Sequence, residues 1–96
     1  MKILALEKEV SGAAAADDAA LLQDEARSVW ELMQSGVIRE IHFRDDRSQA
    51  VILLETGSTA QAQEILAELP LVRAGLIEFE TIGLRPYPGF ARLFKV

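Results

Sequence analysis

The spacing of apolar residues along this chain switches from two to about 3.6 and back, twice over, and that succession leaves few folds open. Lys2 to Lys8 alternates as a strand, with Leu4 and Leu6 on one face and Ile3, Ala5 and Glu7 on the other. After a turn signal at Ser11-Gly12, Leu22, Ala26, Val29, Trp30 and Met33 recur at threes and fours. This predicts a helix from about Asp18 to Ser35, capped by Asp17 or Asp18 and closed by Gly36 as a C′ glycine, with Trp30 and Met33 in the core. Val37 to Arg44 alternates again: Ile41 and Phe43 share a face with Arg39, and Ile38, Glu40, His42 and Arg44 share the other. A polar turn, "DDRSQ", leads into "AVILLET", Ala50 to Thr56, whose near-continuous apolar run predicts a strand buried on both faces and paired with its predecessor as a hairpin. Ser58 or Thr59 caps a second helix, Ala62, Ile65, Leu66 and Leu69 form its stripe, and Pro70 stops it. Leu76 to Leu84 is the last strand. The order predicts an α+β, ferredoxin-like βαββαβ fold: an antiparallel four-stranded sheet with two helices on one face.

Ninety-six residues, half of them hydrophobic, suit a single domain over 1–96 with a real core. The net charge of −5, with Arg39, Arg44 and Arg47 interleaved among Glu40, Asp45 and Asp46, argues against a nucleic-acid partner. There is no cysteine, hence no disulfide and no thiolate chemistry. The apolar start is broken by Glu7, Lys8 and Glu9, unlike a signal peptide, and no apolar run approaches the roughly 20 residues of a membrane helix. A soluble cytoplasmic protein with no membrane partner is therefore expected. No phosphate loop, nucleophile elbow or dinucleotide fingerprint is present, and no cofactor is assigned.

Helices on one face leave the other face of the sheet open. Assigning Ile77 and Phe79 to the helices puts Leu76, Glu78, Glu80 and Ile82 on the open face, with Ile3/Ala5/Glu7, Ile38/Glu40/His42/Arg44 and one set of Val51–Leu54. Leaving such aliphatics wet forfeits roughly 1.5–3 kcal/mol each. A second copy of the same sheet, related by a twofold axis, is the simplest cover. Glu78 and Glu80 would then line a chamber with Glu40, His42 and Arg44. His42, the only histidine, could act as a general base oriented by Glu78 or Glu80, should their strands be neighbours. Alternatively one of the two glutamates is the base and the other is held protonated. A third reading makes these carboxylates and Arg44 an ordinary ion-pair network. His42 with Glu40, Glu78 and Glu80 lacks a characteristic metal-ligand spacing, and no metal is assigned.

In the tail, "RPYPGFARLFKV", two prolines and Gly89 disfavour regular structure, yet Tyr87, Phe90, Leu93 and Phe94 are large and apolar. Residues 85–96 should therefore dock, either walling a pocket with Tyr87 and Phe90 or clasping a neighbouring subunit.

The "LPL" of Leu69-Pro70-Leu71, the Ile77-Glu78-Phe79 core of the last strand, and the leucine and proline-containing tail behind it resemble the dimeric α+β barrel proteins, within them the muconolactone isomerase-like group. The resemblance implies a ferredoxin-like subunit, a barrel of two sheets, pockets in the barrel or between sheet and helices, and a tail that reaches a neighbour. It implies varied chemistry: lactone isomerisation, cofactor-free oxidation of aromatic polyketides, ring closure, and haem chemistry in distant members. The glutamate is kept at Glu78, whereas the tail histidine-proline pair of the isomerases is here Arg85-Pro86 and Tyr87-Pro88. The expected function is a small cofactor-independent isomerase, cyclase or oxygenase doing proton transfer on a small, partly apolar molecule. His42, Glu78 and Glu80 would be catalytic, and Glu40, Arg44, Arg85, Tyr87 and Phe90 would bind substrate. The alternative is a non-catalytic homo-oligomeric ligand-binding or stress-related domain.

Overall fold

The computed structural model describes residues 1–14 and 17–94. Its elements are β1 (Lys2–Glu9), α1 (Ala19–Gln34), β2 (Ile38–Phe43), β3 (Ala50–Glu55), α2 (Thr59–Ala67), a one-turn α3 (Pro70–Arg73) and β4 (Ile77–Leu84), followed by a 3-10 helix (Gly89–Phe94). The four strands form one sheet in the order β2-β3-β1-β4, with every neighbouring pair antiparallel. This is the ferredoxin-like arrangement expected, with α1 packed over β2 and α2 over β4. No helix among the described residues is long and apolar enough to cross a membrane.

The helix boundaries follow from local chemistry. The Asp18 carboxylate accepts the Ala20 and Leu21 N–H groups at 3.0 and 3.3 Å, and the Ser58 hydroxyl accepts that of Gln61 at 3.1 Å. Gly36 takes the left-handed conformation (φ 81°) that ends α1. Pro70 cannot continue α2, but as the first residue of α3 it starts a new turn, an element not anticipated from the sequence.

The core lies between helices and sheet. Ile3 and Ala5, Ile52 and Leu54, and Ile38 are at most 1 % exposed, and Ala62, Leu66 and Leu69 close over them. This reverses the expected faces of β1. Ile3, Ala5 and Glu7 point at the helices, and Leu4 and Leu6 point away. Pairing decides it: Ile3 lies opposite Leu54 and Ala5 opposite Ile52, so they share the face those residues bury. Both faces of β1 are aliphatic, so alternation alone could not orient it. Ile38 is likewise buried rather than on the open face, because a register shift between Ile38 and Glu40 breaks the alternation. Glu40 and His42 remain on the open side and Ile41 and Phe43 on the helix side, as read. On β4, Phe79 packs against the core and Glu78 and Glu80 are exposed on the other face, also as read.

Two apolar groups stay exposed in the single chain, the first of them against expectation. Met33 packs against the core, but Trp30 is 63 % exposed. α1 covers the sheet with a narrow stripe, and Trp30 lies at its margin. The tail forms a 3-10 helix despite its prolines, and the Tyr87 ring lies over Gly89 and meets Phe90 edge-on at 5.0 Å. Tyr87, Phe90, Leu93 and Phe94 nonetheless stay 65–79 % exposed. The described molecule measures 61 × 28 × 23 Å.

Candidate functional site

Two helices lie on the same sheet, but not equally close. α2 buries Ala62 and Leu66 completely, whereas α1, described throughout, has no fully buried residue. The space under α1 is a cleft of about 300 Å³ between α1, α3 and the sheet. Leu22, Val29, Ile52, Leu71 and Phe79 wall it, and the short side chains of Ala26 and Ala50 leave room. It runs on into a wider mouth bordered by Glu9, Val10, Ser48 and Leu76.

Two carboxylates enter this otherwise apolar space, Glu7 from β1 and Glu25 from α1. Each is anchored by one backbone group. Glu7 Oε1 accepts the Ala50 N–H at 3.1 Å, and Glu25 Oε1 accepts the Leu71 N–H at 3.0 Å. Among the described residues neither Oε2 has a protein partner, so one oxygen of each is free for a ligand. Burial pushes the Glu25 carboxyl above its ordinary pKa. The Leu71 N–H opposes that shift, and the negative charge of Glu7 adds to it. A half-buried carboxylate of raised basicity beside a second one, in an apolar cleft, has the chemistry to take up and release a proton.

The shift has a consequence for stability. Glu25 favours the folded state fully below the unfolded-chain value of about 4.3. That contribution is lost as pH rises through the raised folded value. Glu25→Gln is therefore expected to raise the melting temperature at neutral pH and to change it little below about pH 4. Thermal unfolding at the two pH values checks this, and an equal change at both would contradict it.

Neither glutamate was among the residues singled out for chemistry. The signal was present. Glu25 sits three residues after Leu22 and four before Val29, inside the apolar stripe of its helix, and Glu7 follows Ile3 and Ala5 on one strand face. Here each carboxylate is in phase with the positions its element turns toward the core.

The residues that were singled out lie elsewhere. His42 and Glu40 are on β2, at one edge of the sheet, with Nε2 and Oε1 3.2 Å apart. Glu78 and Glu80 are on β4, at the opposite edge. β3 and β1 intervene, a separation of about 14 Å within one chain. The strands of His42 and Glu78 are thus not neighbours, because the last strand joins the sheet beside the first and not beside the hairpin. Glu80 pairs with Lys8 at 3.6 Å, and Glu78 borders a shallow depression of about 190 Å³ with Gln63 and Thr81. Arg44 makes two 2.8 Å hydrogen bonds to Asp46 in the β2–β3 turn, and this holds the Asp46 carboxyl below its ordinary pKa. The charges therefore form separate pairs, not one network. Arg85 lies beside Met1, Glu55 and Pro86, and Tyr87 and Phe90 contact each other. Among the described residues no three His, Asp or Glu side chains converge as a metal-ligand set.

Between the two charged edges the open face is aliphatic. Leu4 and Leu6 lie opposite Leu53 and Val51, and Leu4 also lies opposite Ile82, with Leu84 beyond. Ile82 and Leu84 are 39 and 37 % exposed.

No protein-family model matches the chain, and no curated protein matches it in sequence. Solved structures do. Muconolactone isomerase superposes with a TM-score of 0.74 at 21 % identity, over 92 % of this chain and 92 % of that one. A second is 5-chloro-2-hydroxyhydroquinone dehydrochlorinase (TftG) from Burkholderia phenoliruptrix AC1100, in complex with 2,5-dihydroxybenzoquinone. It matches with a TM-score of 0.63 at 15 % identity, over 93 % of this chain and 98 % of that one. The resemblance read from the last strand and tail thus holds at the level of the fold.

Proposed function

We propose that the chain is a cofactor-independent enzyme of the isomerase, cyclase or oxygenase type. It would transfer a proton on a small, partly apolar organic molecule held in the helix–sheet cleft. The observation that carries this reading is the pair of backbone-anchored carboxylates, Glu7 and Glu25, in a cleft of about 300 Å³. That volume suits a ligand of one or two rings. Two solved structures of the same fold are an isomerase and a dehydrochlorinase, which supports small-molecule catalysis on this scaffold.

In this reading Glu25 removes a proton from carbon next to a carbonyl. Burial makes it a stronger base than a solvated glutamate. Protonated Glu25 then returns the proton at another carbon of the same face, moving the double bond with no net change in atoms or charge. Glu7 accepts a hydroxyl of the substrate and keeps Glu25 basic.

The working unit in this proposal is a homodimer or larger assembly. Two open sheet faces stack through Leu4, Leu6, Val51, Leu53 and Ile82 and close a barrel. The exposed tail, with Arg85, Tyr87, Phe90 and Phe94, clasps a neighbouring copy. A second catalytic reading survives only in such an assembly. Stacked twofold, His42 of one copy, already held by Glu40, would have to meet Glu78 and Glu80 of the other.

Methyl-resolved NMR separates the two sites. Titration with an unsaturated γ-lactone or a hydroquinone is expected to shift the signals of Leu22, Val29, Ile41 and Leu71. Shifts confined to Leu4, Val51 and Leu53 would move the site to the barrel chamber. Binding in the cleft without solvent-deuterium exchange into any enolisable lactone would favour the non-catalytic ligand-binding module.

A further inference from the structure

We propose that the helix–sheet cleft takes uncharged ring molecules bearing hydroxyl or carbonyl groups and rejects carboxylate-bearing molecules of the same size. This rests on the cleft being the ligand site. Its ionisable wall groups are Glu7 and Glu25, with Glu9 at the mouth, and among the described residues no Lys or Arg lines it. The nearby cations are turned elsewhere. Lys8 lies on the opposite sheet face against Glu80, Arg44 and Arg47 both hold Asp46, Arg27 holds Asp24, and Arg73 lies beside Glu68.

An anion in the cleft would meet negative charge with nothing to offset it, behind apolar walls that screen poorly. An ammonium group would find carboxylates but would lose its water to Leu22, Val29, Ile52 and Phe79. An uncharged ligand avoids both costs and uses what the cleft offers. Glu7 accepts from a hydroxyl, and Glu25 accepts likewise as the carboxylate or, once it has taken up a proton, donates to a carbonyl oxygen. The aromatic and aliphatic walls cover the ring.

The test is a matched set of ligands on the whole chain: methyl gentisate, gentisate and the aminomethyl analogue, titrated near neutral pH with calorimetry and cleft methyl signals as readouts. The ester is expected to bind about tenfold or more tightly than the carboxylate, and more tightly than the amine. The gap between ester and carboxylate is expected to shrink in Glu7→Gln, in Glu25→Gln and most in the double variant. Carboxylate binding in the cleft as tight as the ester would overturn the charge selection and leave the site standing. So would a preference for the amine, or a gap that persists in the double variant. If no ligand of the set moves a cleft signal at millimolar concentration, the site itself is wrong and the selection falls with it.

Discussion

Glu25→Gln is expected to reduce proton transfer by roughly 10²- to 10⁴-fold while leaving the fold and the assembly intact. The substitution is nearly isosteric. The glutamine carbonyl can still accept the Leu71 N–H that now anchors Glu25 Oε1, so α1 and α3 stay tied. What is lost is a group that can gain and release a proton at working pH. The measurement is solvent-deuterium exchange into an enolisable lactone, with kcat/KM followed against pH. In the wild-type chain the rate should climb as pH rises through the raised pKa of Glu25 and then level off, since only the carboxylate is a base. In the variant that limb should vanish. A loss of less than about threefold, or an unchanged pH limb, would remove Glu25 from the chemistry. Glu7→Gln should cost less, since in the proposed mechanism Glu7 binds and tunes but does not carry the proton.

If the proposed dimer forms through the open sheet face, Leu53→Glu is expected to leave a folded monomer. Leu53 stands near the middle of the open face, opposite Leu4 on β1 and Glu40 on β2. Its side chain points away from the core, so the substitution leaves Ile52 and Leu54 undisturbed. Across a twofold axis the new carboxylate would face its own symmetry mate in a desolvated interface, and each buried unpaired charge costs several kcal/mol. The lost aliphatic contact adds roughly 1.5–3 kcal/mol per subunit. Sedimentation velocity at micromolar concentration should show the wild type as a dimer or larger and the variant as a monomer with unchanged circular dichroism. A variant that stays assembled would place the interface elsewhere, and a monomeric wild type would leave the open face uncovered. The proposed clasp is testable by the same method: a chain ending before Arg85 is expected to keep the sheet and to assemble more weakly.

What could be read before folding and what could not divide along a physical line. Periodicity, caps and breakers are properties of neighbouring residues. Asp18, Gly36, Ser58 and Pro70 mark helix ends through hydrogen bonds and backbone angles a few residues apart, so the elements and their order were legible. The faces of β4 were legible as well, because Ile77 and Phe79 differ from Glu78 and Glu80. The faces of β1 were not, because Ile3 and Ala5 differ little in polarity from Leu4 and Leu6, and only pairing with Ile52 and Leu54 separates them. The site followed from that distinction. Turning β1 over moved Glu7 from the open face into the cleft, where Glu25 reaches it from α1. The strand order then put His42 and Glu78 at opposite edges, since hydrogen-bond partners across a sheet are chosen by the whole core and not by either strand. The amino-acid order alone therefore determined which segments are helix and strand and that they build a ferredoxin-like sheet. Only the packed chain decided which carboxylates meet, because that depends on contacts between residues far apart in sequence.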